Sequence, residues 1–260
     1  MPVLPKREAL QRQREKTMLV LRFLRTSIYS TPEILGQVMG VRDRIAIYRT
    51  LKSLEKQGVL AQTNLDAFST DRVKFTLWGI TKAGQEACVF DGEDPNTIVF
   101  NPSKISGANL KHYLMLQQIR IAGERGGWTD FNYCDRNARS KEVQKKDVSD
   151  KDIRPDLVAL APGAEGTGQK LKVAIEAERV IKSSFRYKEK IIPGHVRNLN
   201  AGIYDFLVYV CPTPDQTEHL RQTIKTVYDE LRESGKWYLT PSPHGVRRIQ
   251  FISMEMWPNI

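Results

Sequence analysis

The chain is poor in the residues that build stapled or metal-clipped folds. Its three cysteines, Cys88, Cys134 and Cys211, are odd in number and far apart, with no CxxC pair. That excludes a disulfide framework and a cysteine-based zinc site, and it predicts a reducing, cytoplasmic setting. Histidine is equally sparse: His112, His195, His219 and His244 show no close spacing. No stretch approaches the roughly 18 consecutive apolar residues of a membrane helix. The opening "MPVLPKREALQRQREK" carries charge but no apolar core of a secretion signal, so neither export nor membrane insertion is expected. Acid is also in deficit, with 30 Asp and Glu against 40 Lys and Arg and a formal net charge of +10. Such an excess favours polyanions as partners.

Against these absences, 260 residues of which 40% are hydrophobic suffice for one large or two ordinary domains. From Glu15 to Arg25, residues Met18, Leu19, Val20, Leu21, Phe23 and Leu24 recur at helical spacing and predict a core-facing first helix. Thr31, Pro32 and Glu33 supply a hydroxyl cap, a proline at the first helical position and an acid in the first turn of a short second helix. A third helix is expected over "RDRIAIYRTLKSLEKQG", with Ile45, Tyr48, Leu51 and Leu54 inward and Gly58 as its left-handed end. The β-like runs "VLAQTNL" and "VKFTLWGIT" flank a polar turn, and Thr81 caps a fourth helix. Two short helices followed by a two-stranded hairpin describe a winged helix-turn-helix over residues 1–90. Its expected DNA contacts are Arg42, Arg44, Arg49 and Lys52 on the third helix and Arg72 and Lys74 on the hairpin; the bland alternative is a solvated charged face.

Residues 91–107 lie in a stretch rich in Gly, Pro, Asn, Asp and Ser and are expected to be a linker. Beyond it, residues 108–260 alternate helical and strand patterns and predict an α/β domain with a mixed sheet. "ANLKHYLMLQQIRIAGERGG" reads as a helix with a double-glycine stop, and "WTDFNYC" as a short strand. "IRPDLVALAP" and "KLKVAIEAE" are strong strand signals, followed by a helix over "SSFRYKEKIIPGHVRNLNAG" with an interruption at Pro193. "IYDFLVYVCP" is apolar throughout, as suits a central strand covered on both faces. A long amphipathic helix from Thr213 to Gly235 and two further strands, "WYLTP" and "RRIQFISM", complete the order.

The chemistry is concentrated in "KLKVAIEAE". Alternation sends Glu176 and Glu178 to one face of a strand, where like charges repel unless a cation lies between them. If the two strands form a hairpin, Asp156 of "RPDLVAL" approaches Glu176 near the open end of the sheet. Carboxylates alone suit a hard divalent ion, Mg2+ or Mn2+, rather than zinc. Such an ion activates water and steadies a phosphodiester under attack. Lys182, Lys188 and Lys190 stand on the helix that follows. Pairing of the two glutamates with Arg154, Arg179 or Lys172 on a solvated strand is the alternative, and it carries no chemistry.

The order α-β-β-β-α-β, with Pro155–Asp156 and then "EAE", resembles the PD-(D/E)XK nuclease fold shared with restriction endonucleases. Glu178 stands where that motif has lysine, and lysine migration to the next helix, which that fold allows, makes Lys182 or Lys190 the substitute. A wider resemblance covers nearly the whole chain. "AIYRTLKSLEKQGVL", "WGITKAG", "RPDLVAL" and "IEAERVIKSSFRYKEK" are similar to segments of replication-relaxation-like proteins and MobC-type plasmid mobilization relaxases. That resemblance implies an endonuclease that binds double-stranded DNA at a transfer origin, nicks it with Mg2+ or Mn2+, and works with relaxosome accessory and coupling proteins. It implies Asp156, Glu176, Glu178 and Lys182 or Lys190 as catalytic residues, the three acids holding the metal. The scattered histidines disfavour the histidine-cluster, tyrosine-nucleophile relaxase mechanism. Tyr187, His112 and His195 read as packing or surface residues. The rival expectations are a non-catalytic DNA-binding regulator of replication or transcription and a restriction-type enzyme that cuts both strands.

Overall fold

The computed structural model describes residues 6–66, 74–89, 98–134, 153–163, 170–236 and 248–258. It is a mixed α/β protein that divides into two compact units, Met1–Gln118 and Ile119–Ile260. Arg72, residues 91–97 of the expected linker and the expected strand at 237–241 lie outside the described residues.

The first unit begins with α1 (Lys6–Ser27), whose Val20, Leu21, Phe23 and Leu24 are buried while Leu19 is exposed. The break expected after α1 contains a two-residue strand, β1 (Tyr29–Ser30). In α2 (Pro32–Val38) the Thr31 hydroxyl accepts from Ile34 N, and in α3 (Arg44–Lys56) the Asp43 carboxylate accepts from Ile45 N. Both caps satisfy amides that a helix leaves unpaired. Gly36 lets the two helices meet, since a Cβ there would stand 2.4 Å from Ile47 Cδ1. Next come β2 (Leu60–Asp66), β3 (Lys74–Ile80) and α4 (Lys82–Ala87), the last capped by Thr81. The three strands form an antiparallel sheet in the order β1-β3-β2.

Two inward assignments on α3 change: Tyr48 is only half-buried, and Ile45 lies outside. Ile47, Leu51 and Leu54 are buried, whereas Ile45 is 69% exposed. Three-residue steps back from Leu54 through Leu51 and Tyr48 reach Ile45, but a 3.6-residue period drifts off that row and favours Ile47 instead.

The second unit takes up the end of α5 (Gly107–Arg125), which stops before Gly126 and Gly127. Its sheet runs β4 (Thr129–Tyr133), β5 (Leu157–Ala161), β6 (Leu171–Ala177), β7 (Phe206–Cys211) and β8 (Ile249–Ser253) in sequence order. The first three strands pair antiparallel, and β6-β7 and β7-β8 pair parallel. Five of the six residues of central β7 are buried, as its apolar run requires.

One face of this sheet lies under helices. Ala174 of β6 and Leu207, Tyr209 and Cys211 of β7 join a core with residues of α8 (Pro214–Glu233) and of the segment after β6. That segment is a single turn, α6 (Ser184–Arg186), then a π turn (Tyr187–Ile191), then α7 (Ile192–Asn200). The expected interruption takes this form: Pro193 sits at the start of α7, where its missing N–H costs least.

Two ties hold α7 over the sheet. Asn198 Nδ2 donates to Ile153 O at 2.9 Å, and Gly194 lies so close to Ile153 that an added Cβ would stand 2.8 Å from Ile153 Cγ1. Arg248, at the entry to β8, donates to the carbonyls of Leu199, Tyr204 and Asp205, fixing the connection from α7 to β7. Gly194→Ala is expected to lower stability by about 1 kcal/mol in urea unfolding, because overpacking of about 1–3 kcal/mol exceeds alanine's helix advantage of about 1 kcal/mol. A more stable variant would show that the Ile153 segment does not press on α7.

Candidate functional site

The β5-β6 register determines which acids meet. Leu157 pairs with Ile175, so Asp156, one residue before β5, falls opposite Glu176. Directly opposed residues of an antiparallel pair share a face. Asp156 Oδ2 accepts from Ala177 N at 2.8 Å, and its carbonyl accepts from Cys134 N at 3.0 Å. Both carboxylates act on one neighbourhood: burial first, then Asp156 and Glu176, push the Cys134 thiol up to about 12.

Glu176 also pairs in register with Tyr209 of β7, beneath α7. His195 of α7 is fully buried there, with Nε2 3.2 Å from Glu176 Oε1 and Nδ1 2.7 Å from Tyr204 Oη. The Nε2 contact is within ion-pair distance but misaligned for a hydrogen bond, and Nε2 has no hydrogen-bond partner. We therefore read it as an electrostatic contact, in which an Nε2–H faces the carboxylate and Tyr204 donates to Nδ1.

Glu178 goes elsewhere. Its amide continues the ladder to Val210 O, but its side chain is only 2% exposed and both oxygens lie 2.5 Å from Lys182 Nζ. Lys182, four residues on, is 30% exposed and leads into α6. Tyr187 packs alongside, fully buried, its hydroxyl accepting from Lys182 N at 3.3 Å. Burial, reinforced by Glu178, raises its pKa, so it stays protonated and has no access to a phosphodiester.

The expected three-acid cradle is therefore not formed. Among the described residues, no group of three or more His, Cys, Asp or Glu side chains is placed to hold a metal. The physical reason is desolvation: a carboxylate buried this deeply takes the nearest cation, and that cation is Lys182. Asp156 and Glu176 remain as a facing pair. Two carboxylates fit Mg2+ or Mn2+ under one condition, that water and substrate phosphate supply the other ligands, as Mg2+ prefers. Of the candidate lysines, Lys182 pairs with Glu178, Lys188 pairs with Glu230 at 2.9 Å and Lys190 is exposed on the π turn.

In the first unit, Arg44, Ile45, Tyr48, Arg49 and Lys52 follow one another around one side of α3, opposite buried Ile47, Leu51 and Leu54. Arg42 is exposed just before the helix and Lys74 at the start of β3. Lys52 is the most restrained: it bonds Glu55 and Gln62 and lies 5.2 Å from the Trp78 ring centre. Arg44 stacks over Tyr48 at 5.6 Å.

No family model, curated protein or solved structure matches the chain. No helix among the described residues is long and apolar enough to cross a membrane.

Two measurements check this site. Lys182→Met strands a buried carboxylate and is expected to cost about 2–3 kcal/mol, while Glu178→Gln/Lys182→Met recovers more than half of it. Equal losses in the single and double variants would show that the pair is not the source. The second concerns His195, which burial lowers to about 3 against an upward pull from Asp156. Unfolded histidine binds a proton near 6.5, so acidification favours the unfolded chain and stability falls between pH 7 and pH 5. The expected loss from this group is about 2 kcal/mol. Urea unfolding at both values should show that loss in the wild type and its absence in His195→Gln; parallel losses would place His195 in water.

Proposed function

We propose that the chain is a DNA endonuclease of the MobC mobilization-relaxase type. In this reading the first unit is a winged helix that holds double-stranded DNA, and the second is a PD-(D/E)XK-like domain that nicks a transfer origin. The observation that carries the reading is the register that opposes Asp156 to Glu176 at the mouth of the β5-β6 hairpin, with Lys182 paired to Glu178 two residues along.

Bound Mg2+ or Mn2+ would polarise the phosphate and supply a water of lowered pKa. Asp156 and Glu176 would hold the ion. The amide of Ala177 fixes Asp156 Oδ2, and His195 confines the Glu176 carboxylate from the side of α7. Lys182, anchored by Glu178, keeps a cation at the edge of the site to meet phosphate, in place of the motif lysine that Glu178 displaces. On α3, exposed arginines beside Ile45 and Tyr48 combine phosphate attraction with apolar contacts suited to base edges in a major groove. Accessory and coupling proteins of the mobilization apparatus are the partners this role entails.

One observation favours a second reading, a non-catalytic DNA-binding regulator: Glu178 and Lys182 satisfy each other without metal. Incubation with supercoiled plasmid carrying the DNA around the protein's own gene separates the readings. Open-circular product that needs Mg2+ or Mn2+ and is lost in Glu176→Ala is the expected result. Linear product would assign a double-strand cutter. Retarded but uncut DNA with both metals would assign the regulator and overturn the nuclease.

A further inference from the structure

The segment that carries Lys182 also carries two exposed apolar side chains. Val180 is 70% exposed and Phe185 73% exposed, on either side of Lys182 in the chain. Single exposed apolar residues are ordinary on a protein surface, but the setting of this aromatic ring is not. Between Arg179 and Lys190 stand five cations, Arg179, Lys182, Arg186, Lys188 and Lys190, against one acid, Glu189; two of them, Lys182 and Lys188, already pair with Glu178 and Glu230. The ring does not project for want of order around it. The Ser183 hydroxyl caps the turn by accepting from Arg186 N, and Tyr187, two residues on, is fully buried. The turn is anchored on its inner side and presents Phe185 on its outer side.

We propose that Arg179–Lys190 binds single-stranded DNA beside the acidic pair, with Phe185 as the platform on which one unpaired base stacks. This rests on the nucleic-acid reading above and narrows its substrate at that site. The chemistry selects the occupant. A ring amid cations matches a strand that offers a π face and a phosphate at each step. Paired bases in a duplex present only their edges, so a flat ring can stack only on a base that has left its partner. Lys182 belongs to the same segment and bonds Glu178, two residues from Glu176. A strand held on Phe185 lies on the segment that directly follows β6, the strand of Glu176. Nicking at this site then requires a locally opened origin, and intact duplex is held by the first unit.

The test uses the full chain in EDTA, with a fluorescein-labelled 12-nucleotide oligothymidylate followed by anisotropy. Phe185→Ala should weaken binding roughly tenfold, the range of one lost base stack. Phe185→Leu should behave like Phe185→Ala, because a π face is lost in both. Phe185→Trp should bind as the wild type does and add quenching by the oligonucleotide beyond that of the four native tryptophans. Affinity for a duplex of the same length should not change in any variant. Unchanged single-strand affinity in Phe185→Ala would overturn the proposal, as would full affinity in Phe185→Leu. Dissociation of an oligomer by Phe185→Ala without loss of DNA affinity would do so too, by making the ring a protein contact. Plasmid nicking is scored separately: nicking lost in Glu176→Ala alongside unaltered binding in Phe185→Ala would sink this inference and leave the nuclease standing. Single-strand binding lost in Phe185→Ala with no nicking by any form would do the reverse.

Discussion

A carboxylate buried to the depth of Glu178 must be neutralised by something close, and the local chain path follows from that requirement. Lys182 is near enough only because the backbone leaves β6 in a tight, irregular turn before α6 begins. That turn aims the following helices back across the sheet, where Tyr187, Ile191 and Ile192 enter the core and His195 comes to rest on Glu176. The cation also remains partly in water, so the pair is sealed on the acid's side and open on the lysine's. A buried pair of this kind is poor evidence for stability in itself. Its effect here is positional: it draws Glu178 away from the Asp156–Glu176 pair that the β5-β6 register sets.

Much of the architecture was legible in the chain because local rules and burial agree. Thr31 and Thr81 cap helices as their spacing indicates, and the apolar run of β7 lies in the interior of its sheet. Opposition of Asp156 and Glu176 followed from alternation plus one hairpin, both short-range properties. The fate of Glu178 did not. Alternation assigns a face but not a depth, and the helices that bury Glu178 lie beyond it in the sequence. His195 was hidden for the same reason: a lone histidine in "IIPGHVRNL" carries no sign of what will lie across from it. The available signal was its place in an otherwise apolar stripe, which marks burial and hence a need for polar company.

Ile45 teaches a different lesson. Counting in threes along a helix loses its phase after two turns, and that spacing carries Ile45, 69% exposed, to the wrong face. Its exposure gives the α3 surface a mixed character, cationic at Arg44 and Arg49 and apolar between them. Phe185 shows the same mixture in the second unit. In each case the apolar group is set among cations.

The π turn at Tyr187–Ile191 has a geometric meaning beyond its place between α6 and α7. One extra residue in a helix turns everything downstream by about 100°. A widened turn absorbs that residue, so the segment behaves as a phase adjuster between two faces that must both be right. Upstream, the chain has to release Phe185 to solvent while inserting Tyr187. Downstream, it has to deliver His195 over Glu176 and seat Gly194 on Ile153. A regular helix of the same length would put one end out of step with the other. Single-residue indels in this stretch are therefore far less neutral than substitutions at its exposed positions, such as Glu189 and Lys190.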